Sequence, residues 1–265
     1  MDFKKNIKKL ALLIKEFKDI LRLAFSLAKA NFKLRNEGSY LGFLWYLLEP
    51  LCFFGIILLI GGVIGQHPIN YYPLYLFLGL IMFNFFTNST SIALKSIMAN
   101  GNLIKSMKIS LESLVMSSVF QFVFSHILEM CIFFAFMIYF KASLWLIIFY
   151  VPIFFLFLMF VLGVGFMLAT VAVYISDLSN IWSVFCRLLW FLTPIFYSMP
   201  ANSLFHRISY MNPMFHFINI SREIIIYGRV PGFSTLLLMV FFSILIFGLG
   251  IFIFKKYKLK FAEMV

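Results

Sequence analysis

Few side chains in this 265-residue sequence could do chemistry, and most of them stand inside or beside long apolar runs. His126 and Glu129 are three residues apart, with Ser118, Phe122 and Ser125 on or beside the same helical face. Two potential ligands do not complete a zinc shell, so the pair reads as mutually satisfied inside a helical bundle rather than as a relay, and no metal is expected. Glu49 follows Trp45 and Tyr46 by four and three residues, which places all three on one helical face with Cys52 and Phe53. An ionised carboxylate deep in a bilayer costs about 3 kcal/mol, so Glu49 should face protein, a wet cavity or the headgroups. An interfacial aromatic belt with Pro50 in the first helical turn and a position on a substrate path both fit this pattern. Trp182, Cys186, Trp190, Thr193 and Tyr197 follow at intervals of four, four, three and four, a second aromatic stripe that suits either a path or packing. Arg187 resembles no motif, and Glu49 and Glu129 are its candidate partners. No Walker motif, glycine-rich phosphate loop or interpretable Ser/His/Asp set occurs, so the chain itself is not expected to hydrolyse a nucleotide or to hold a cofactor.

Composition decides the setting for these groups. With 63% hydrophobic and only 12% charged residues, the chain is an integral membrane protein rather than a soluble domain. The net charge of +12 does not mark a nucleic-acid binder, because 37 Phe and the apolar runs leave no soluble face to carry such a site. Cys52, Cys131 and Cys186 fall within expected spans, without metal spacing, and read as small apolar fillers. The basic N-terminus has no short apolar core with a cleavage site, so no cleavable signal peptide is expected.

The elements that must position the polar residues follow from hydropathy. Residues 3–35 carry ten Lys/Arg, while Ile7, Leu10, Ile14, Phe17, Leu21, Ala24 and Ala28 recur every three or four positions. This is a basic amphipathic helix suited to the membrane interface, with Lys8, Lys15, Lys18 and Arg22 toward anionic headgroups. Apolar runs of spanning length cover 38–64, 71–94, about 114–140, 144–175, the stretch from Asp177 to about Met199, and 233–254. The fourth is long enough to tilt, to bend near Pro152 or to extend beyond the core at one end, and Gly163 and Gly165 suit close helix approach. Residues 200–231 are too polar to span and too apolar for a free loop, which suits short re-entrant helices. Seventeen Lys/Arg lie in the N-terminal segment, the connection after the second run and the C-terminal tail, against four in the opposite connections. That excess places both termini in the cytoplasm. The expected fold is all-α: one polytopic membrane domain over 1–265, with six transmembrane helices, an amphipathic segment at 1–37 and re-entrant helices before the last span.

Four blocks also carry a resemblance: RNEGSYLGFLWYLLEPL at 35–51, YLFLGLIMFNFF at 75–86, NLIKSMKISLESL at 102–114 and SDLSNIWSVFCRLLWFLTPIFY at 176–197, followed by YMNPM at 210–214. In this order they resemble the membrane subunits of ATP-binding-cassette exporters that move surface polysaccharides and polyol phosphates out of bacterial cells. Ser176 and Ser110 depart from the Arg and Pro often found at those positions. The resemblance implies an inner-membrane permease working as a homodimer with a separate cytoplasmic ATPase, two copies of which bind ATP and Mg. It implies a lipid-linked polysaccharide as cargo, whether O-antigen, capsule or teichoic acid, with 25–37 forming the interfacial helix that leads into the first span. It further makes 100–113 a cytoplasmic coupling helix, with Leu103, Ile104 and Met107 on its apolar face and Glu112 matching an acidic position. A sugar chain offers CH faces and hydroxyls, so the aromatic stripes become path candidates: Trp45, Tyr46 and Glu49 facing Trp182, Trp190 and Tyr197. A drug or simple-lipid exporter is the nearest alternative. A membrane transferase using lipid-linked sugars is less well supported, since no cytoplasmic loop clusters carboxylates for a metal-diphosphate donor.

Overall fold

The breaks in hydropathy become helix ends. A computed structural model describes residues 2–37, 40, 42–64, 69–107, 109–198 and 204–261. Its helices are α1 (Asp2–Asn36), α2 (Trp45–Ile64), α3 (Tyr72–Ala99), α4 (Gly101–Ser106), α5 (Leu111–Tyr139), α6 (Tyr150–Ala172), α7 (Leu178–Leu192), α8 (Leu204–Tyr210), α9 (Pro213–Ile225) and α10 (Phe233–Tyr257). Short 3-10 turns precede α2 and α6 and follow α10, and no strand occurs among the described residues. Four segments, Tyr72–Ala99, Leu111–Tyr139, Leu144–Ala172 and Phe233–Lys260, are long and apolar enough to cross a membrane. The apolar parts of α2 and α7 are shorter, Leu47–Ile60 and Leu178–Leu192.

α3 is the axis of the fold. Leu74, Leu76, Phe77, Leu78, Leu80 and Ile81 are fully buried on it, and it lies against both α5 and α6. From Leu74 to Ile81 it is apolar on all sides, and such a stretch is stable only when other helices cover it. Beyond α6 lies α10, and the two meet backbone to backbone. A Cβ on Gly250 would stand 2.3 Å from the carbonyl oxygen of Gly163, and one on Gly163 would stand 2.5 Å from the main chain of Ile246. Glycine is required there because the neighbours are backbone atoms that cannot yield. Gly250→Leu is expected to force the helices apart and to remove most folded protein from the membrane, read as the monodisperse fraction after solubilisation. Gly248→Leu, at a site open on all sides, should leave that fraction near wild type.

Several expected boundaries shift, each for a local reason. The fifth apolar run does not continue as helix to Met199: α7 stops at Leu192, and Thr193 is extended at φ −103°, ψ 125°. Pro194 disfavours helical backbone in the residue before it. The segment 100–113 is not one helix either. α4 covers six residues, Met107 is extended, and Ser110 begins the separate helix α5, which contains Glu112. α1 is packed onto the bundle. Ala24 and Ala28 are fully buried, and Phe25 and Phe32 meet the ring of Phe124 on α5 at 5.6 and 5.5 Å. Ile14 and Phe17 stay exposed, while the side chains of 2–11, Ile7, Lys8 and Leu10 among them, lie outside the described residues.

Candidate functional site

A break in the apolar interior lies between α2, α3 and α7. Asn84, Thr87 and Asn88 are spaced three and four apart on α3, so they share the face that α5 and α6 leave uncovered. With Glu49 and Phe53 of α2, and Arg187, Trp190 and Phe191 of α7, they line a cavity of about 410 Å³. The side-chain amides of Asn84 and Asn88 make no hydrogen bond among the described residues, and therefore offer both donors and acceptors to a guest. Trp190 supplies a flat wall, its ring 5.1 Å from Phe83 at 81°. A single acid, a single base, two amides and an aromatic face suit a neutral hydroxylated molecule better than a multiply charged one.

A narrow seam continues inward from this cavity. Glu49, Asn84 and Asn88 also border a pocket of about 20 Å³ whose far side is Arg35, Ser125 and Glu129. That volume holds about one water molecule, and the buried Ser125 hydroxyl has no partner among the described residues. Deeper still, Glu129 is 3.2 Å from Nδ1 of His126, whose Nε2 lies 2.7 Å from the Tyr150 hydroxyl. The His–Glu pair is thus satisfied internally, with Tyr150 as a third member from α6. Among the described residues no three His, Cys, Asp or Glu side chains gather as a metal site.

The far end of the cavity wall is held by a residue that sequence reasoning missed. Arg222 of α9 is 1% exposed and has no carboxylate within ion-pair distance among the described residues. Its Nη1 donates to the Pro194 carbonyl at 2.7 Å, Nη2 to those of Ile195 at 2.8 Å and Tyr75 at 2.9 Å, and Nε to Tyr75 at 3.1 Å. The guanidinium also sits 3.4 Å above the Tyr75 ring. Pro194 and Ile195 belong to the segment where α7 has ended, so their carbonyls have no helical partner. The fork of Arg222 serves them, and Gly79 leaves the room: a Cβ there would stand 2.3 Å from Nη2. The visible signal was an Arg in the short apolar helix capped by Asn212, whose side chain accepts from Met214 N–H.

Residues 22–226 match the ABC-2 type transporter family. The chain belongs to that family. It is also 25% identical over 260 residues, 96% of this chain and 99% of the relative, to an O-antigen export system permease protein of Myxococcus xanthus. An O-antigen export system permease protein of Klebsiella pneumoniae is 26% identical over 240 residues, covering 89% and 92% of the two chains.

Within this ABC-2 transporter, the residues singled out from the sequence are only partly brought together. Glu49 and Trp190 share the cavity. Trp182 is fastened beside it, its indole N–H donating to Thr90 Oγ1 at 3.0 Å and its ring stacked on Phe185. Tyr197 lies past the end of α7, where its hydroxyl donates to the Phe191 carbonyl at 2.5 Å, so the expected stripe is not one continuous helical face. Trp45 is exposed at the start of α2 and is not among the cavity's lining, and the Tyr46 side chain lies outside the described residues. Arg187 donates to Ser183 at 3.3 Å, and no carboxylate pairs with it among the described residues; the i, i+4 neighbour on its own helix supplies the contact instead. Of the coupling candidates, Leu103 and Met107 are exposed and Ile104 is half-buried against the core. Glu112 is ion-paired to Lys258 at 2.7 Å, which ties the start of α5 to the C-terminal turn.

Proposed function

We propose that this chain is the permease of an ATP-driven exporter that moves a lipid-linked surface polysaccharide across the inner membrane. The observation that carries the reading is the cavity lined by Glu49, Asn84, Asn88 and Trp190, a polar and aromatic gap between helices of an ABC-2 transporter. The names of the relatives, both O-antigen export permeases, support a polysaccharide over a drug or simple lipid. The chain carries no nucleotide-binding motif, and energy then comes from a separate ATP-binding subunit, present in two copies and holding ATP and Mg.

Six spans with both termini in the cytoplasm are the topology this function needs. In support, the chain from Leu178 to Tyr197 runs beside α3 for nearly its whole length: Trp182 bonds Thr90, Trp190 meets Phe83, and Tyr75 donates to the Tyr197 carbonyl. The helical part of α7 is only about 22 Å long at 1.5 Å per residue, and the extended residues after Leu192 complete the crossing. α8 and α9 form the described part of the re-entrant element, from 204 onward, with the buried Arg222 meeting the backbone demand that a non-helical stretch creates. Phe53, Ile56 and Leu59 of α2 and Val184, Leu188 and Phe191 of α7 expose apolar side chains beside the open cavity. A second copy facing this side encloses one path between the two protomers.

The coupling element is α4 with the extended residue after it, and Leu103, Ile104 and Met107 meet the ATPase. Ile104→Asp is expected to abolish co-purification of the ATP-binding subunit and export of the polymer, while the permease still inserts. A strain lacking the chromosomal copy tests this: wild type should restore surface polysaccharide and Ile104→Asp should not. Normal export by that variant, or restoration of drug resistance without surface polymer by the wild type, would refute the assignment.

A further inference from the structure

On the opposite side of the molecule from the translocation cavity, α5 and α6 part around a second cavity of about 370 Å³. The two helices touch little, because α3 fills the space between them on its own side. α1 crosses the opening at one end through Phe17, Ile20 and Leu21, and α10 closes the flank through Phe247 and Ile251. Of its fourteen lining residues only Glu112 and Lys255 are polar, and both stand at the end where the lysine-rich C-terminal turn lies. From Phe155 to Phe166 along α6 the groove runs about 16 Å, close to half of the about 30 Å hydrocarbon core.

We propose that this groove binds an anionic phospholipid, one acyl chain lying between α5, α6 and α10 and its phosphate against Lys255. The charges decide the headgroup. Glu112 is already neutralised by Lys258 at 2.7 Å, whereas Lys255 has no carboxylate within ion-pair distance among the described residues. Glu16 and Asp19 of α1 border the neighbouring cavity on the Lys258 side, so Lys255 is the cation that the groove itself presents to a phosphate. An apolar channel of this length does not hold water, so an acyl chain is the occupant that a bilayer supplies. α1 then serves as a strap across the lipid, and the bound molecule fills the gap between the amphipathic helix and the bundle.

The full-length permease with its ATP-binding subunit is reconstituted in phosphatidylcholine discs containing a trace of phosphatidylglycerol with a diazirine midway along one acyl chain. After irradiation, adducts should concentrate on the peptides carrying Phe120, Leu162 and Ile251, and unlabelled phosphatidylglycerol should displace them where added phosphatidylcholine does not. Lys255→Gln, at an exposed position, should weaken capture roughly five-fold. Leu162→Trp, which fills the groove, should remove the Phe120 adducts. Should that variant not accumulate, the wild-type competition and Lys255→Gln carry the test. Adducts spread evenly around α10, equal competition by phosphatidylcholine, or unchanged capture by Lys255→Gln would each overturn the site. Stronger displacement by a polyprenyl phosphate would give the groove to the cargo's lipid instead, and would overturn it equally without bearing on the export path.

Discussion

Replacing Arg222 with methionine is expected to cost most of the folded protein recovered from the membrane and to lower its thermal midpoint sharply. Methionine keeps an unbranched side chain of similar reach, so the loss isolates the donors. Without them the Ile195 carbonyl loses its only partner among the described residues, and the Pro194 carbonyl keeps only the Tyr75 hydroxyl at 3.2 Å. Removing the cation recovers its desolvation cost, but each buried carbonyl left unpaired costs about 1–3 kcal/mol. A net loss of about 3 kcal/mol is a large share of the stability of an ordinary domain. Arg222→Lys should recover little, because an ammonium cannot reach three carbonyls as a planar fork does. Gly79→Ala should act in the same direction by pushing on Nη2. A methionine variant that melts with the wild type would remove the clamp from consideration.

The second large effect is on transport rather than folding. Trp190→Leu is expected to lower polymer export per inserted molecule by roughly tenfold, equivalent to about 1.4 kcal/mol, while Trp190→Phe retains most of it. The difference follows from the face Trp190 shows to the cavity beside Glu49 and Arg187, since phenylalanine keeps an aromatic wall and leucine does not. If the ring serves only to pack on Phe83, both variants should lose stability in proportion to volume, with export per folded molecule unchanged. Export normalised to membrane-inserted permease separates the two outcomes.

How far the sequence reveals this molecule depends on which contacts are local. Long apolar runs broken by Asn100–Gly101 and by Asp177 announce α3, α5, α6 and α10, because span length and hydropathy are properties of contiguous residues. The His126–Glu129 pair is legible for the same reason, being one helical turn apart. The end of α7 was also written locally, in Thr193–Pro194, and a stripe drawn through it treats an extended segment as helix. Arg222 was not legible, because the carbonyls it serves come from residues 147 and 28 positions away. Asn84, Thr87 and Asn88 were visible but uncharged, so nothing in the sequence set them apart from the polar residues that helices in membranes bury against each other. Only the placement of α2 and α7 makes their face the wall of a cavity.

On the function proposed above, the polymer passes between α2, α3 and α7. A photo-reactive amino acid at position 88, in the reconstituted permease–ATPase complex supplied with lipid-linked polysaccharide, tests it most directly, with position 155 on the far side of the bundle as the control. Capture of the polymer at position 88, dependent on ATP and nearly absent at position 155, is the expected result. Equal capture at both positions, or capture at 155 alone, would contradict it.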